Sequence, residues 1–230
     1  MNTNFQKKKQ VKRIFDDISG KYDFLNHFLS AGIDFYWREK ALKLTKISRK
    51  AVLLDVACGT GDFSISAKKS GIKNIFGADF SKNMMDVFNA KVSWSNGRLV
   101  QSVAEYLPVK NDVFTNITVA FGVRNFYDIK MGFSEFNRVL KKNGKVTVLE
   151  FRLPTNLIIK TLYNFYFNKI LPTLGKIISK DNEAYTYLPE SVNKFDSEID
   201  LKKLLLDAGF QKVENYSLTL GLVQVVIAEK

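Results

Sequence analysis

Val52-Leu53-Leu54-Asp55-Val56-Ala57-Cys58-Gly59-Thr60-Gly61-Asp62-Phe63 is an apolar run closed by an acid and a Gly-x-Gly turn, the pattern by which a buried parallel strand hands the chain to a helix. Two glycines permit a tight turn and let backbone approach a ligand with no Cβ in the way. Asp55 and Asp62 put negative charge where a dinucleotide would put phosphates, so the loop suits a cation. Ser64 replaces the third glycine of a nicotinamide or flavin fingerprint, and no Gly-Lys-Ser/Thr of a phosphate loop follows. A sulfonium cofactor, S-adenosylmethionine, fits these residues better than NAD or ATP. For a glycine pair alone, an ordinary strand-to-helix turn is the plain alternative.

The following strand argues against that alternative. Ile75-Phe76-Gly77-Ala78-Asp79 is a second apolar run whose terminal acid lies 24 residues after Asp55, near the spacing at which a carboxylate meets a ribose diol. Asp79 is expected to hold the ribose, while Ser81 is better placed to cap the helix opening at Lys82.

With 230 residues, 46% of them hydrophobic, the chain can bury one sizeable α/β core without staples. A single domain over residues 1–230 is expected: a helical cap at 1–50, a cofactor-binding core at 51–153, a substrate-side insertion at 154–196, and a C-terminal helix and hairpin at 197–230. The one cysteine excludes an internal disulfide and suits a reducing compartment; Cys58, with no histidine near it in sequence, reads as a buried spectator. No N-terminal run resembles a signal peptide and no stretch reaches the length of a spanning helix, so a soluble or peripheral protein is expected. The net charge of +12 is uneven: residues 1–50 hold twelve Lys and Arg against five Asp and Glu. Nucleic acid and an anionic membrane surface would each reward such lysine density, and so would solubility alone, which leaves charge unable to choose.

Val11, Ile14, Phe15 and Ile18 recur at helical spacing, and a second helix is expected from Tyr36 to about Thr45 with Trp37, Ala41 and Leu44 inward. From Ala51 strands and helices alternate, with strands near 52–56, 74–79, 98–103, 115–121, 145–151, 211–217 and 222–229. A helix from Met131 to Leu140 should stop at Lys141-Lys142-Asn143-Gly144. Leu218-Thr219-Leu220-Gly221 is too short for a helix, so the last two strands should form an antiparallel hairpin. The fold class is therefore α/β, a seven-stranded doubly wound Rossmann-like sheet, mostly parallel, with one antiparallel edge strand. Between strand five and the last helix, Leu157, Leu162, Tyr163, Phe165, Tyr166, Phe167, Ile170 and Leu171 crowd one segment. It either packs under another element, the commoner outcome, or faces an apolar ligand. Tyr185, Tyr187, Pro189 and Glu190 read as pocket wall.

With the Gly-x-Gly loop and Asp79, the segment Phe121-Gly122-Val123-Arg124-Asn125 resembles the class I methyltransferases that act on prenylated hydroquinones in menaquinone and ubiquinone synthesis. The resemblance spans nearly the whole chain, through Tyr22-Asp23 with Asn26, Trp37-Arg38, Ala104-Glu105-Leu107-Pro108, Arg138-Val139-Leu140-Lys141, Leu149-Glu150-Phe151, Leu171-Pro172, Tyr187-Leu188, Glu190-Ser191 and Gly221. The spacing in Lys180-Asp181-Asn182-Glu183-Ala184-Tyr185-Thr186-Tyr187 is most similar to the demethylmenaquinone members.

The resemblance implies S-adenosylmethionine at Asp55, Gly59, Thr60, Gly61, Asp79, Phe80, Val103 and Ala104, with no metal. Val103 stands where the family usually has an Asp or Asn that meets the adenine amino group. Backbone groups of Val103 and Ala104 can still meet the ring, at a cost of about 1 to 2 kcal/mol for the lost hydrogen bond. The substrate is expected against Asn26, Phe121, Tyr185 and Tyr187. Arg124 is the expected cation for a developing phenolate, with Asn125 orienting the ring oxygen; Tyr22 and Asp23 would close over the pocket and accept the proton, and a salt bridge pinning the strand end is the bland reading of Arg124. His27, the only histidine, reads as a cap residue. The expected activity is C-methylation of demethylmenaquinol to menaquinol. The nearest rival is the methoxy-polyprenyl-benzoquinol reaction of ubiquinone synthesis, since the motif residues do not separate the two. A nucleic-acid methyltransferase would need an Asn/Asp-Pro-Pro-Tyr/Phe turn that Phe121–Asn125 lacks, so no nucleic acid is expected; a non-catalytic quinone-binding subunit has only Val103 in its favour. A tailed substrate implies a cytoplasmic protein in transient contact with the inner face of the membrane. Homodimerisation is left open.

Overall fold

Val52–Val56 forms strand β1, apolar on both faces except for Asp55, as a strand covered by helices on each side must be. The computed structural model describes residues 11, 13, 15–166, 169 and 183–230, and at 21, 25, 29 and 183–186 the backbone alone. The sheet has seven strands in the order β3-β2-β1-β4-β5-β7-β6, where β2 is Asn74–Asp79, β3 Leu99–Gln101, β4 Phe114–Ala120, β5 Leu140–Phe151, β6 Lys212–Leu218 and β7 Val223–Glu229. β1 pairs in parallel with β2 and β4, and β4 with β5. The order reverses direction between β1 and β4, the point at which the helices of a doubly wound sheet cover opposite faces and leave a crevice at the strand ends.

The antiparallel edge expected of the last two strands is present. β7 is the reversed strand and lies between β5 and β6, pairing with both, so that β6 is outermost. The hairpin turn Thr219–Gly221 is a short 3-10 segment with two non-glycine residues, Thr219 and Leu220, at positive φ.

The helices are α1 (Tyr22–Leu29), α2 (Ile33–Thr45), α3 (Asp62–Lys69), α4 (Lys82–Lys91), α5 (Ile129–Val139), α6 (Leu157–Phe165), α7 (Glu183–Glu198) and α8 (Leu201–Asp207). α2 starts three residues earlier than its apolar spacing suggested, with Trp37, Ala41 and Leu42 buried against Leu53, Phe63 and Ile227. Ser81 caps α4 by accepting from Met84 N, and Asp128 caps α5 by accepting from Met131 N. On the opposite face Phe133, Phe136 and Val139 of α5 and Leu201 and Leu205 of α8 pack on Leu54, Ile117 and Val146.

Two expectations shift. The stop after α5 comes at Val139, because β5 begins at Leu140 and takes Lys141–Gly144 into an irregular start opposite Phe114–Asn116, with Asn143 at φ +61°. The third strand is three residues long, since the chain leaves the sheet at Ser102 and closes a turn by a bridge between Val103 and Tyr106.

The insertion also departs from a core helix. α6 buries only Tyr163, while Leu157 and Ile158 are 79% and 72% exposed and Leu162 and Phe165 are exposed with them. Tyr187–Glu190, expected as pocket wall, lies on α7, which carries Pro189 inside it. Phe167, Ile170, Leu171, Pro172, Lys180 and Asp181 lie outside the described residues, as do Lys7, Lys8, Lys9, Lys12 and Ile14. Among the described residues no helix is long and apolar enough to cross a membrane.

Candidate active site

At the carboxyl ends of β1 and β4, Ala57 and Phe121 both take left-handed conformations, φ +52° and +56°, at roughly 1–2 kcal/mol each. Strain of this kind at two facing strand ends marks a place where the chain is bent for a purpose other than stability. Next to Phe121, a Cβ on Gly122 would lie 2.6 Å from that of Ala57, so only glycine lets the two turns pass. The crevice between them is lined by Phe15, Tyr22, Val56, Gly59, Asp79, Phe80, Ser102, Val103, Ala104, Phe121 and Asn125, among others.

The glycine loop forms one wall. Gly59 has φ +53° and open space where a side chain would project, whereas Gly61, φ +89°, has the Phe88 ring 2.2 Å from the place of its Cβ. Gly59 thus leaves room for a ligand and Gly61 for a packed core ring. Asp79 Oδ2 accepts from Gly59 N and Oδ1 from Ser81 N, both at 2.8 Å. Burial pushes its carboxyl up to about 6 in spite of these donors. Each oxygen keeps a further lone pair for a hydroxyl donor. A carboxylate beside an open glycine, with the Phe80 ring set edge-on to Phe15 at 6.1 Å, fits a ribose and a flat base, and so fits S-adenosylmethionine.

Asp55 takes another part. Its Oδ2 accepts from Ser64 N (3.1 Å) and Ser64 Oγ (2.7 Å) and its Oδ1 from Thr118 Oγ1 (2.9 Å), so it pins α3 and β4 to β1 from beneath the loop. Burial lifts this carboxyl to about 6 as well. Ser64, whose position excluded a dinucleotide fingerprint, is therefore the partner of the strand-end acid. Cys58 is buried and its thiol is pushed well up by burial, as a spectator should be. Val103 and Ala104 form the far wall. Behind them Glu105 is buried and accepts from Tyr127 N (2.5 Å) and Asp128 N (2.9 Å), tying that wall to the start of α5.

Arg124 sits on the 3-10 turn Val123–Asn125 after β4. Nη1 donates to Glu150 Oε1 at 2.7 Å and to Phe121 O at 2.5 Å, and Nε is buried with no hydrogen-bond partner among the described residues. The salt bridge that a structural reading required is present, and the orphaned Nε is what that reading does not use. Burial lowers the guanidinium's pKa, but Glu150, Tyr187 and Tyr22 outweigh it and the net shift is upward. Tyr187 OH donates to Asn125 Oδ1 at 2.6 Å. Tyr22 is pushed up by burial, with a hydrogen bond to Asn26 opposing. Arg124, Asn125, Tyr187, Tyr22 and Asn26 are thus one cluster. Tyr185 lies on the same helix as Tyr187, its side chain outside the described residues.

Beyond this cluster is a second cavity of about 380 Å³, within the range of small-molecule sites, about 300–1,000 Å³. Asn26, Trp37, Phe151, Tyr163, Leu188 and Leu220 line it, mostly with apolar surface. Between crevice and cavity stand Phe121 and Phe151, centroids 4.5 Å apart, with Trp37 edge-on to both at 6.0 Å. Arg124 lies over the Phe151 ring at 5.7 Å, which places the cation at the partition.

Asp23 is not part of that cluster. Its Oδ1 accepts from Thr60 Oγ1 at 2.5 Å and its Oδ2 from Lys91 Nζ at 2.7 Å, and Lys91 also reaches Asp62 at 2.7 Å. His27 continues the network, with Nδ1 2.8 Å from Asp34, and Arg38 pairs with Asp34 from one helical turn away. The cap is clamped to the glycine loop here, and Thr60 spends its hydroxyl on the clamp. Lys91 carries no signal in the sequence, and Arg38 stands out there only within the Trp37-Arg38 segment; the (i, i+4) pair Asp34/Arg38 was the available signal for its role in the clamp.

Comparison with known proteins agrees with this geometry. The model of the ubiE/COQ5 methyltransferase family matches residues 2–230. A protein of Geotalea daltonii named ubiquinone/menaquinone biosynthesis C-methyltransferase is 42% identical over 231 residues, covering 98% of each chain. The demethylmenaquinone methyltransferase of Bacteroides fragilis is 40% identical over 230 residues, 98% of this chain and 94% of its own. Among solved structures, an S-adenosylmethionine-dependent methyltransferase of Thermotoga maritima superposes with a TM-score of 0.66 at 19% identity, covering 95% of this chain and 99% of its own, a likeness of fold. Matched along almost its whole length, the chain belongs to the ubiE/COQ5 methyltransferase family.

Proposed function

We propose that the chain transfers the methyl group of S-adenosylmethionine to a ring carbon of demethylmenaquinol, giving menaquinol, with the cofactor in the crevice and the quinol's tail in the apolar cavity. The observation that carries this reading is the position of Arg124, Asn125 and Tyr187 at the partition between a polar-edged crevice and an apolar cavity. A substrate with an electron-rich ring and a hydrocarbon tail is the kind of molecule such a pair of spaces can divide between them. The demethylmenaquinone methyltransferase named above supports the naphthoquinol over the methoxybenzoquinol.

When bound, S-adenosylmethionine supplies an electrophilic methyl on a positively charged sulfur. The work of the chain is position and charge. Asp79, its carboxylate oriented by the Gly59 amide, holds the ribose end, and Phe121 and Asn125 set the ring against the cofactor, so that proximity lowers the barrier by several kcal/mol. Arg124 keeps its proton and offers Nε to the substrate oxygen, which favours loss of that hydroxyl's proton to solvent; the ionised ring is the better carbon nucleophile, and its carbon forms the new bond as the methyl–sulfur bond breaks and S-adenosylhomocysteine leaves. Asn125, fixed by the Tyr187 hydroxyl, orients the same oxygen. Neither Arg124 nor Tyr22 can take the ring proton near neutral pH, since both are held protonated, and the proton leaves to solvent as the ring regains aromaticity. Asp23, clamped to Thr60 and Lys91, acts by closing the cap.

A prenylated substrate requires the enzyme to meet a bilayer, and exposed apolar groups support that reading. Leu162 of α6 and Leu220 of the hairpin turn line the cavity and are exposed, and Phe165 of α6 and Phe24 and Phe28 of α1 are further exposed large apolar groups. With the basic first fifty residues they suit transient contact with the cytoplasmic face of a membrane.

Turnover with labelled cofactor tests the reading. A short-tailed demethylnaphthoquinol should be methylated on carbon and a methoxybenzoquinol much more slowly. Methylation of the benzoquinol alone, or of nucleic acid, would overturn it.

A further inference from the structure

Ser102 has a hydroxyl oxygen that is shielded from solvent and has no hydrogen-bond partner, although the residue forms part of the crevice wall. Its backbone N–H donates to Asp79 O at 2.9 Å, so it stands directly beside the strand end that carries the ribose carboxylate. Val103 follows, the residue whose apolar side chain cannot hydrogen-bond to the edge of a base. A buried hydroxyl without a partner destabilises the protein that carries it. Serine also needs only a change of χ1 among its staggered wells to turn from the wall toward the crevice.

We propose that Ser102 supplies the side-chain hydrogen bond to the polar edge of the cofactor's adenine that Val103 cannot make. As both donor and acceptor, a hydroxyl can meet either the exocyclic amine or the neighbouring ring nitrogen. The orphaned oxygen is then the mark of a ligand contact, and the apolar residue after it costs the site little affinity. The inference rests on the crevice being the cofactor's site.

Ser102→Ala separates this role from a structural one, because the two predict opposite signs. In the ligand-free protein the substitution removes an unpaired buried group, so the melting temperature should hold or rise. Calorimetric titration with S-adenosylhomocysteine should show affinity weakened about five- to tenfold, the value of one hydrogen bond, and a smaller ligand-induced rise in melting temperature. Asp79→Asn is measured alongside. Loss of affinity in Asp79→Asn with none in Ser102→Ala overturns the role of Ser102 and leaves the crevice as the cofactor site. Unchanged affinity in both overturns the site itself. A ligand-free Ser102→Ala that melts well below the parent also overturns the proposal, since the hydroxyl would then have a structural partner.

Discussion

Arg124 and Glu150 form a buried ion pair, Nη1 to Oε1 at 2.7 Å, with Glu150 fully buried and the Arg124 side chain 6% exposed. One prong of the guanidinium is thereby committed to the end of β5, while Nε is left without a partner. The pair fixes the direction of the cation and leaves the buried Nε–H to act on a substrate oxygen. Two charges buried together are sensitive to loss of either partner, because the survivor has no water to replace it.

Arg124→Lys should therefore keep the charge and lose the fork. Affinity for S-adenosylhomocysteine should stay within about twofold, and the single-turnover rate should fall about 10²-fold, the size of one lost transition-state donor. Glu150→Gln leaves the guanidinium buried without its counter-charge and should destabilise the fold by about 3–5 kcal/mol. Rapid-quench kinetics and thermal melts read the two effects separately. A lysine variant as fast as the parent would make the ion pair purely structural.

The two strand-end acids predict a pH dependence with opposite signs for stability and binding. Asp55 and Asp79 titrate at about 6 in the fold because burial penalises their charged forms, against about 3.9 when unfolded. Between those values the folded protein binds more protons than the unfolded chain, so stability falls as pH rises from about 4 to 6, by up to about 3 kcal/mol for each group. Asp34, against the effect of burial, is held low by Ser30 and Arg38 and loses stability only at more acid pH. On the proposed role of Asp79 as acceptor of ribose hydroxyls, its ionised form is the one that binds, so affinity should fall by up to about tenfold per unit below pH 6. Melts of the ligand-free protein and titrations with S-adenosylhomocysteine from pH 5 to 7 should thus move in opposite directions. Binding indifferent to pH across that range would remove Asp79 from the site.

Gly59 and Gly61 look alike as sequence and should behave differently as alanine. At Gly59 the added methyl meets nothing but takes a left-handed φ of +53°, so the fold should lose about 1–2 kcal/mol while cofactor affinity falls sharply. At Gly61 it would drive into Phe88 as well, and the loss should be about 3 kcal/mol or more, the strain of φ and of overpacking together. Urea unfolding beside calorimetry distinguishes them. Equal destabilisation of both variants would count against Gly59 as a ligand-facing residue.

What the sequence displays and what it conceals follow from the range of the interactions. The β1–Gly-x-Gly–α3 unit was legible because strand, turn and helix are local and each residue obeys a local rule. The place of Asp79 at the end of β2 was legible because the parallel crossover fixes its spacing. Tyr22 and Asp23 read as one pair in sequence, but adjacent residues on a helix point about 100° apart, and the structure sends Tyr22 toward the crevice and Asp23 toward Thr60 and Lys91, which sequence alone does not display. The exposed apolar face of α6 was open to two readings, since composition reports how much apolar surface a helix has and not what covers it. Ser102 carries no motif, and only its unpaired oxygen in three dimensions draws attention to it.

The apolar cavity predicts that tail recognition and chemistry can be separated by mutation. Leu162 lines the cavity and is exposed at its rim, and Phe165 is exposed on the same helix. Each buried methylene of a prenyl tail is worth about 0.8 kcal/mol, so polar substitution at the rim should matter in proportion to tail length. The double variant Leu162→Asp, Phe165→Asp should raise KM for a long-tailed quinol at least tenfold and leave kcat/KM for a tail-less ring within about twofold. It should also weaken sedimentation with liposomes containing anionic lipid. Replacing Lys7, Lys8, Lys9, Lys12 and Arg13 by glutamate should weaken that binding too, in a way that added salt mimics, since these charges contribute about 1 kcal/mol each near an anionic surface. If the aspartate variant handled long and absent tails with equal loss, the cavity would serve the fold and not the tail. Vesicle binding indifferent to salt and to both sets of substitutions would mean that substrate reaches the enzyme by another surface.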